Sequence, residues 1–137
     1  TLMVTGKAWE ESPMILSVLN HELEKNAIVE TVSSSRHATQ LVGCGTSTSD
    51  MEVQIVNPST LERCSVMSIG ELWIKGPSVA KGYWGQEELS KAVFGSWFRT
   101  GDLGFIHHNG NVFITGRIKD LIIIMEKFVY IKMVIGP

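Results

Sequence analysis

The sequence predicts an α+β fold dominated by β-strands, and three observations predict it. "MEVQIV", Met51 to Val56, sets Met51, Val53 and Ile55 against Glu52, Gln54 and Val56, the two-residue period of a strand. "FIHHNGNVFI", Phe105 to Ile114, holds Asn109-Gly110 between two apolar runs, and Asn-Gly accepts the positive backbone angles of a tight hairpin turn. Helical spacing is confined to one stretch after Ser12 and one after Gly85. With 137 residues, 44% hydrophobic and 19% charged, the chain has apolar material for one modest core.

The elements follow in chain order. Ser12 can cap a helix, Pro13 suits its first turn, and Ile15, Val18, Leu19 and Leu23 recur at helical spacing, which predicts a helix from Ser12 to about Lys25. Residues 33–50, "SSSRHATQLVGCGTSTSD", are rich in Ser, Thr and Gly and read as a mobile surface connection interrupted by Leu41-Val42. "MEVQIV" and "GELWIKG" form strands on either side of a Pro turn in "NPST". "GQEELSKAVF" has acidic residues in its first turn and an apolar face at Leu89, Ala92 and Val93, which suits a short helix. The hairpin then leaves the second half mostly β, with no internal repeat.

Charge and cysteine usage exclude several classes. Twelve basic against fourteen acidic residues give a net charge of -2 with no Lys/Arg block, so nucleic acid is not an expected partner. Cys44 and Cys64 have no second Cys or His at metal spacing, which argues against a zinc site or a disulfide framework and fits a reducing cytoplasm. No apolar run reaches the roughly 18 residues of a membrane span. "TLMVTGKAWEESPM" has neither a Met start nor a signal-peptide core and reads as the beginning of a piece of a longer chain. His107 and His108 are adjacent, so on a strand they point to opposite faces and are expected to be exposed turn residues rather than ligands of one metal. Cys44, between two glycines and without an obvious base, is expected to pack.

Two short stretches carry chemistry. Thr100-Gly101-Asp102 alone reads as a strand-ending turn, and "GRIKD", Gly116 to Asp120, as a solvated polar stretch. They flank the hairpin, however, and together they say more. A carboxylate accepts hydrogen bonds from two vicinal hydroxyls at once, and Arg offers a planar donor fork to an oxygen-rich ligand without losing its charge. Asp102 with Arg117 suits a ribose and its phosphate.

"GELWIKGPSVAKGYW" (Gly70 to Trp84), "WFRTGDLG" (Trp97 to Gly104) and "GRIKDLIII" (Gly116 to Ile124) resemble, in order and spacing, three successive signatures of the adenylate-forming ligases, which include acyl-CoA synthetases, luciferases and nonribosomal peptide adenylation domains. The first half, from "TLMVTGK" through "ILSVLNHELEKNAIVE" to "LVGCG" and "MEVQIVNP", is similar to the fatty acyl-AMP ligase branch, which carries an inserted segment here that ordinary acyl-CoA ligases lack. The resemblance runs from Thr1 to about Met125.

That resemblance implies a fragment of the ligase large domain containing its small distorted β-barrel subdomain. Residues 1–50 would be a partial large-domain segment with the insertion-like helix and connection, 51–118 the β-barrel subdomain with the ribose-binding motifs, and 119–137 a hinge and an aberrant truncated tail. It implies that Asp102 binds both ribose hydroxyls, that Arg117 contacts ribose or α-phosphate oxygens, and that Lys119 is the hinge whose backbone rotates between two domain orientations. Gly76 and the turn Gly82 to Trp84 would shape the barrel. The implied reaction is fatty acid plus ATP, with Mg2+, giving acyl-adenylate and pyrophosphate, followed by delivery to an acyl carrier protein. The family's phosphate-binding loop and C-terminal lysine domain have no counterpart in the chain, and Glu126 stands where the family has Gly after the Ile triplet. The expectation is therefore a truncated fatty acyl-AMP ligase that is inactive alone. A piece of an acyl-CoA ligase and a non-catalytic, vestigial β module are the alternatives.

Overall fold

The computed structural model describes residues 3–124 and 127–130, with side chains through Asp120. Its centre is an antiparallel sheet in the order β5 (Glu52–Val56), β6 (Gly70–Lys75), β7 (Phe98–Ile106) and β8 (Val112–Arg117), each strand beside its sequence neighbour. A ribbon of β2 (Ile15–Leu19) and β3 (Ala38–Val42), running Ile15 against Val42 through Leu19 against Ala38, lies on one face. There Leu16 and Val18 pack with Phe105 and Phe113, whose rings stack at 5.0 Å. Ile55, Leu72 and Val112 form a smaller cluster with Val53, Cys64 and Ile106.

The ribbon corrects the expectation of a helix from Ser12 to Lys25. Only Asn20–Leu23 (α1) is helical, and it follows β2 directly. Leu16 and Val18 are buried while Ile15 is exposed, so the apolar signal is the two-residue period of a strand, and the helical spacing of Ile15, Val18 and Leu19 is incidental. The partner that makes this strand possible is β3, inside the stretch read as a mobile connection, and a strand without a visible partner is hard to tell from a helix by spacing alone. That stretch also holds β4 (Thr46–Ser47), which pairs with β1 (Thr5–Gly6).

The strands at Met51 and Gly70 and the short helix, α2 (Glu87–Val93), occur as expected. The apolar face of α2 is not covered: Leu89 is 46% exposed and no residue of the helix is buried. The helix is tied down by Ser90 instead, whose Oγ accepts from the Tyr83 amide at 2.8 Å, and by Phe94, stacked on Phe98 at 4.6 Å. At the hairpin tip the Gly110 amide donates to the His107 carbonyl and the His107 amide to the Asn111 carbonyl, so the loop is one residue longer than an Asn-Gly turn. The Asn109 side chain explains the difference, because its Oδ1 takes the Asn111 amide at 3.0 Å. After β8, a 3-10 turn (Ile118–Asp120) leads to β9 (Leu121–Ile124), paired with β10 (Lys127–Tyr130). Met125, Glu126 and residues 131–137 of the expected tail lie outside the described residues.

Candidate functional site: a carboxylate–guanidinium pair on a bulged strand

β7 is interrupted where it carries Asp102. Along β6, Glu71 and Trp73 are two residues apart, yet they pair with Leu103 and Arg99, four residues apart on β7, so Thr100, Gly101 and Asp102 together stand opposite Leu72. A bulge of this kind leaves backbone groups without ladder partners, and side chains take their place here. Thr100 Oγ1 donates to the Leu72 carbonyl at 2.8 Å and accepts the Asp102 amide at 3.0 Å. The Gly101 amide donates to Glu71 Oε1 at 3.2 Å, and Gly101 takes φ 73°, a left-handed value that favours glycine.

On the other side of β7 the register shifts again, between Leu103 and Gly104, leaving Asp102 directly opposite Arg117. Gly104 is required there, since a Cβ would sit 2.0 Å from the Phe113 carbonyl oxygen. Arg117 Nε donates to Asp102 Oδ1 at 2.9 Å. Both side chains keep solvent contact, 52% for Arg117 and 35% for Asp102. They border a cleft of ≈ 360 Å³ whose apolar wall includes Leu72, Ile74, Phe98 and Ile114. An ion pair lining an apolar cleft can take a ligand with an apolar body and a hydroxylated or anionic arm, because the Nε–Oδ1 bond engages one of the five guanidinium donors.

The two residues singled out for the ribose are thus brought together, while Lys119, exposed in the 3-10 turn, is not among the residues lining the cleft. Cys44 does not pack as expected: it is exposed and lines the cleft, because the flanking glycines run beside β8, the Cys44 amide bonding to the Val112 carbonyl. His107 is less exposed than a turn residue, with Nε2 3.3 Å from Glu30 Oε1. No group of three metal-ligating side chains occurs among the described residues.

Sequence reasoning missed Glu71. It is 2% exposed and receives Arg99 Nη2 at 3.0 Å, Arg99 Nε at 3.2 Å, Trp73 Nε1 at 2.9 Å and the Gly101 amide. The signal was a carboxylate inside a strand, alternating with the apolar Leu72 and Ile74, followed by an Arg at the head of the motif that carries Asp102.

Among known proteins, residues 24–84, a stretch that ends before Asp102 and Arg117, match the AMP-binding enzyme family. Within it the chain resembles the fatty acyl-AMP ligases. It is 42% identical over 135 residues to the medium-chain-fatty-acid acyl-carrier-protein ligase JamA of Moorena producens, a match covering 90% of this chain and 23% of that protein. The solved fatty acid AMP ligase of Legionella pneumophila superposes with a TM-score of 0.80 at 35% identity over 87% of this chain and 22% of the other, so the fold is that of adenylate-forming ligases. A probable CoA ligase of Humulus lupulus is 47% identical, but over 74 residues, 53% of this chain and 13% of that protein. The chain thus spans less than a quarter of the length of these relatives.

Proposed function

We propose that the chain supplies the ribose clamp of a fatty acyl-AMP ligase, which converts fatty acid and ATP to acyl-adenylate and pyrophosphate and passes the acyl group to an acyl carrier protein. The observation that carries this reading is the Asp102–Arg117 pair, held in register across β7 and β8 and lining the cleft. Asp102 accepts the two ribose hydroxyls, and Arg117 both orients that carboxylate and donates toward ribose or α-phosphate oxygens. Bound ATP supplies the α-phosphate on which the fatty acid carboxylate is activated. The described residues hold no group of three side chains placed to ligate magnesium. The extent of the match favours the acyl-AMP branch over a CoA ligase, at 90% against 53% of the chain.

In this reading residues 51–118 are the small β-barrel subdomain, residues 1–50 belong to the preceding large-domain segment, and Lys119 is the hinge at which 119–137 begins. The setting is the cytoplasm; no described helix is long and apolar enough to cross a membrane. Alone, the chain forms no acyl-adenylate, because holding carboxylate and α-phosphate in line contributes about 7–11 kcal/mol at best and requires both walls of a cleft.

The test replaces the matching segment of the Legionella pneumophila ligase with this chain and follows fatty-acid-dependent ATP–pyrophosphate exchange. Asp102→Ala and Asp102→Asn should each lower kcat/KM for ATP by about 2–4 kcal/mol, since a charge-assisted acceptor for two hydroxyls is lost. Exchange unaffected by either substitution removes Asp102 from the site.

A further inference from the structure

Resting on the ribose reading, we infer that Glu71 is the positioning residue of the site: a buried carboxylate that fixes the bulge at Thr100–Asp102 from the far side of the sheet and so sets where Asp102 meets a ribose. Leu72 and Ile74 line the cleft, and Glu71 and Trp73, which alternate with them along β6, lie on the opposite face. Glu71 therefore touches nothing in the cleft directly. Its two oxygens divide the work. Oε1 accepts the Gly101 amide, an N–H that the bulge has taken out of the ladder, and Oε2 accepts both Arg99 Nε and Nη2 together with Trp73 Nε1.

A carboxylate that is 2% exposed is costly unless paired and fully hydrogen-bonded, and Arg99 meets both conditions. The guanidinium also lies 5.3 Å over the Trp73 ring, which holds it against the strand. Arg99, Glu71 and Gly101 thus form a chain of contacts ending one residue before Asp102. Thr100 fastens the same three residues through the Leu72 carbonyl and the Asp102 amide. With Thr100 alone, Gly101 could turn, because a glycine has no Cβ to limit it, and the direction of the Asp102 side chain would turn with it.

The test uses the purified chain and its Glu71→Gln, Arg99→Lys and Asp102→Ala variants, with circular dichroism to confirm the fold. Hydrogen exchange reads the Gly101 amide, and saturation-transfer NMR reads weak binding of AMP beside 2′,3′-dideoxy-AMP, which lacks the hydroxyls. Glu71→Gln should speed Gly101 exchange by about tenfold, as expected when a charged acceptor is replaced by a neutral one. It should also erase the difference between the two nucleotides while leaving the adenine signal in place. Arg99→Lys should shift both readouts in the same direction by less, and it decides the matter if Glu71→Gln does not fold. Asp102→Ala should erase the nucleotide difference with Gly101 exchange unchanged. Unchanged Gly101 exchange in Glu71→Gln, or faster exchange with the hydroxyl preference intact, overturns the inference. If the wild-type chain shows no hydroxyl preference, the ribose reading fails, and the assignment of Glu71 to ribose positioning fails with it; Gly101 exchange then shows separately whether Glu71 holds the bulge.

Discussion

Gly104→Ala should open the seam between β7 and β8. A Cβ at this position would lie 2.0 Å from the Phe113 carbonyl oxygen and 2.8 Å from Leu72 Cδ1. Carbon–oxygen contacts settle near about 3.3 Å, so the strands must part by roughly 1.3 Å, enough to stretch neighbouring ladder bonds past their useful range. Two such bonds at about 0.5–1.5 kcal/mol each, with the strain of an overfilled site, give a loss of about 2–4 kcal/mol. For a chain of this size that corresponds to a fall in Tm of roughly 10 °C. Thermal unfolding followed by circular dichroism measures it, with Gly6→Ala as the control, because a Cβ at Gly6 meets nothing within 4 Å. Equal melting temperatures for the two variants would refute the close approach of β7 and β8.

Three further expectations follow from packing and charge. Phe113→Ala, at a fully buried ring stacked on Phe105, should cost about 3–5 kcal/mol in urea denaturation, and a loss below about 1 kcal/mol would show that the ribbon and sheet do not share a core. Burial pushes the Cys64 thiol up, whereas Cys44 is exposed, so a disulfide reagent at mildly alkaline pH should label Cys44 first; equal rates would contradict the burial. The Lys25 ammonium, hydrogen-bonded to Glu22 at 3.0 Å, holds the Glu22 carboxyl below its ordinary value; the stabilisation is present above the unfolded value and is lost as pH falls through the folded one. Lys25→Ala should raise the Glu22 midpoint in an NMR titration, and an unmoved midpoint would discount the pair.

The parts legible in the sequence were those whose signal is local. Met51 to Val56 shows its period within six residues, and Asp102 and Arg117 stand in short motifs whose residue types suggest the ligand. What stayed hidden depends on partners distant in the chain. Leu16 and Val18 are strand residues because Leu41 and its neighbours pair with β2 and because Phe105 and Phe113 cover them. Glu71 and Arg99 look like ordinary surface charges until Trp73 is paired with Arg99 across the sheet. Gly104 illustrates the same limit, its need for a bare Cα arising from the Phe113 carbonyl on another strand.

The irregular step of β7 also constrains how the chain can change length. Because Arg99 and Leu103 pair with Trp73 and Glu71, which share one face, the four-residue span between them keeps even parity. Loss or gain of a single residue between Arg99 and Leu103 would invert every side chain beyond it, sending Leu103 and Phe105 out of the core. Loss of two would preserve parity and restore an unbroken ladder, leaving the hydrophobic interior intact while removing the Asp102 presentation. The motif therefore acts as a ruler with two kinds of error: odd indels destroy the fold, whereas loss of two residues spares it and removes the bulge that presents Asp102.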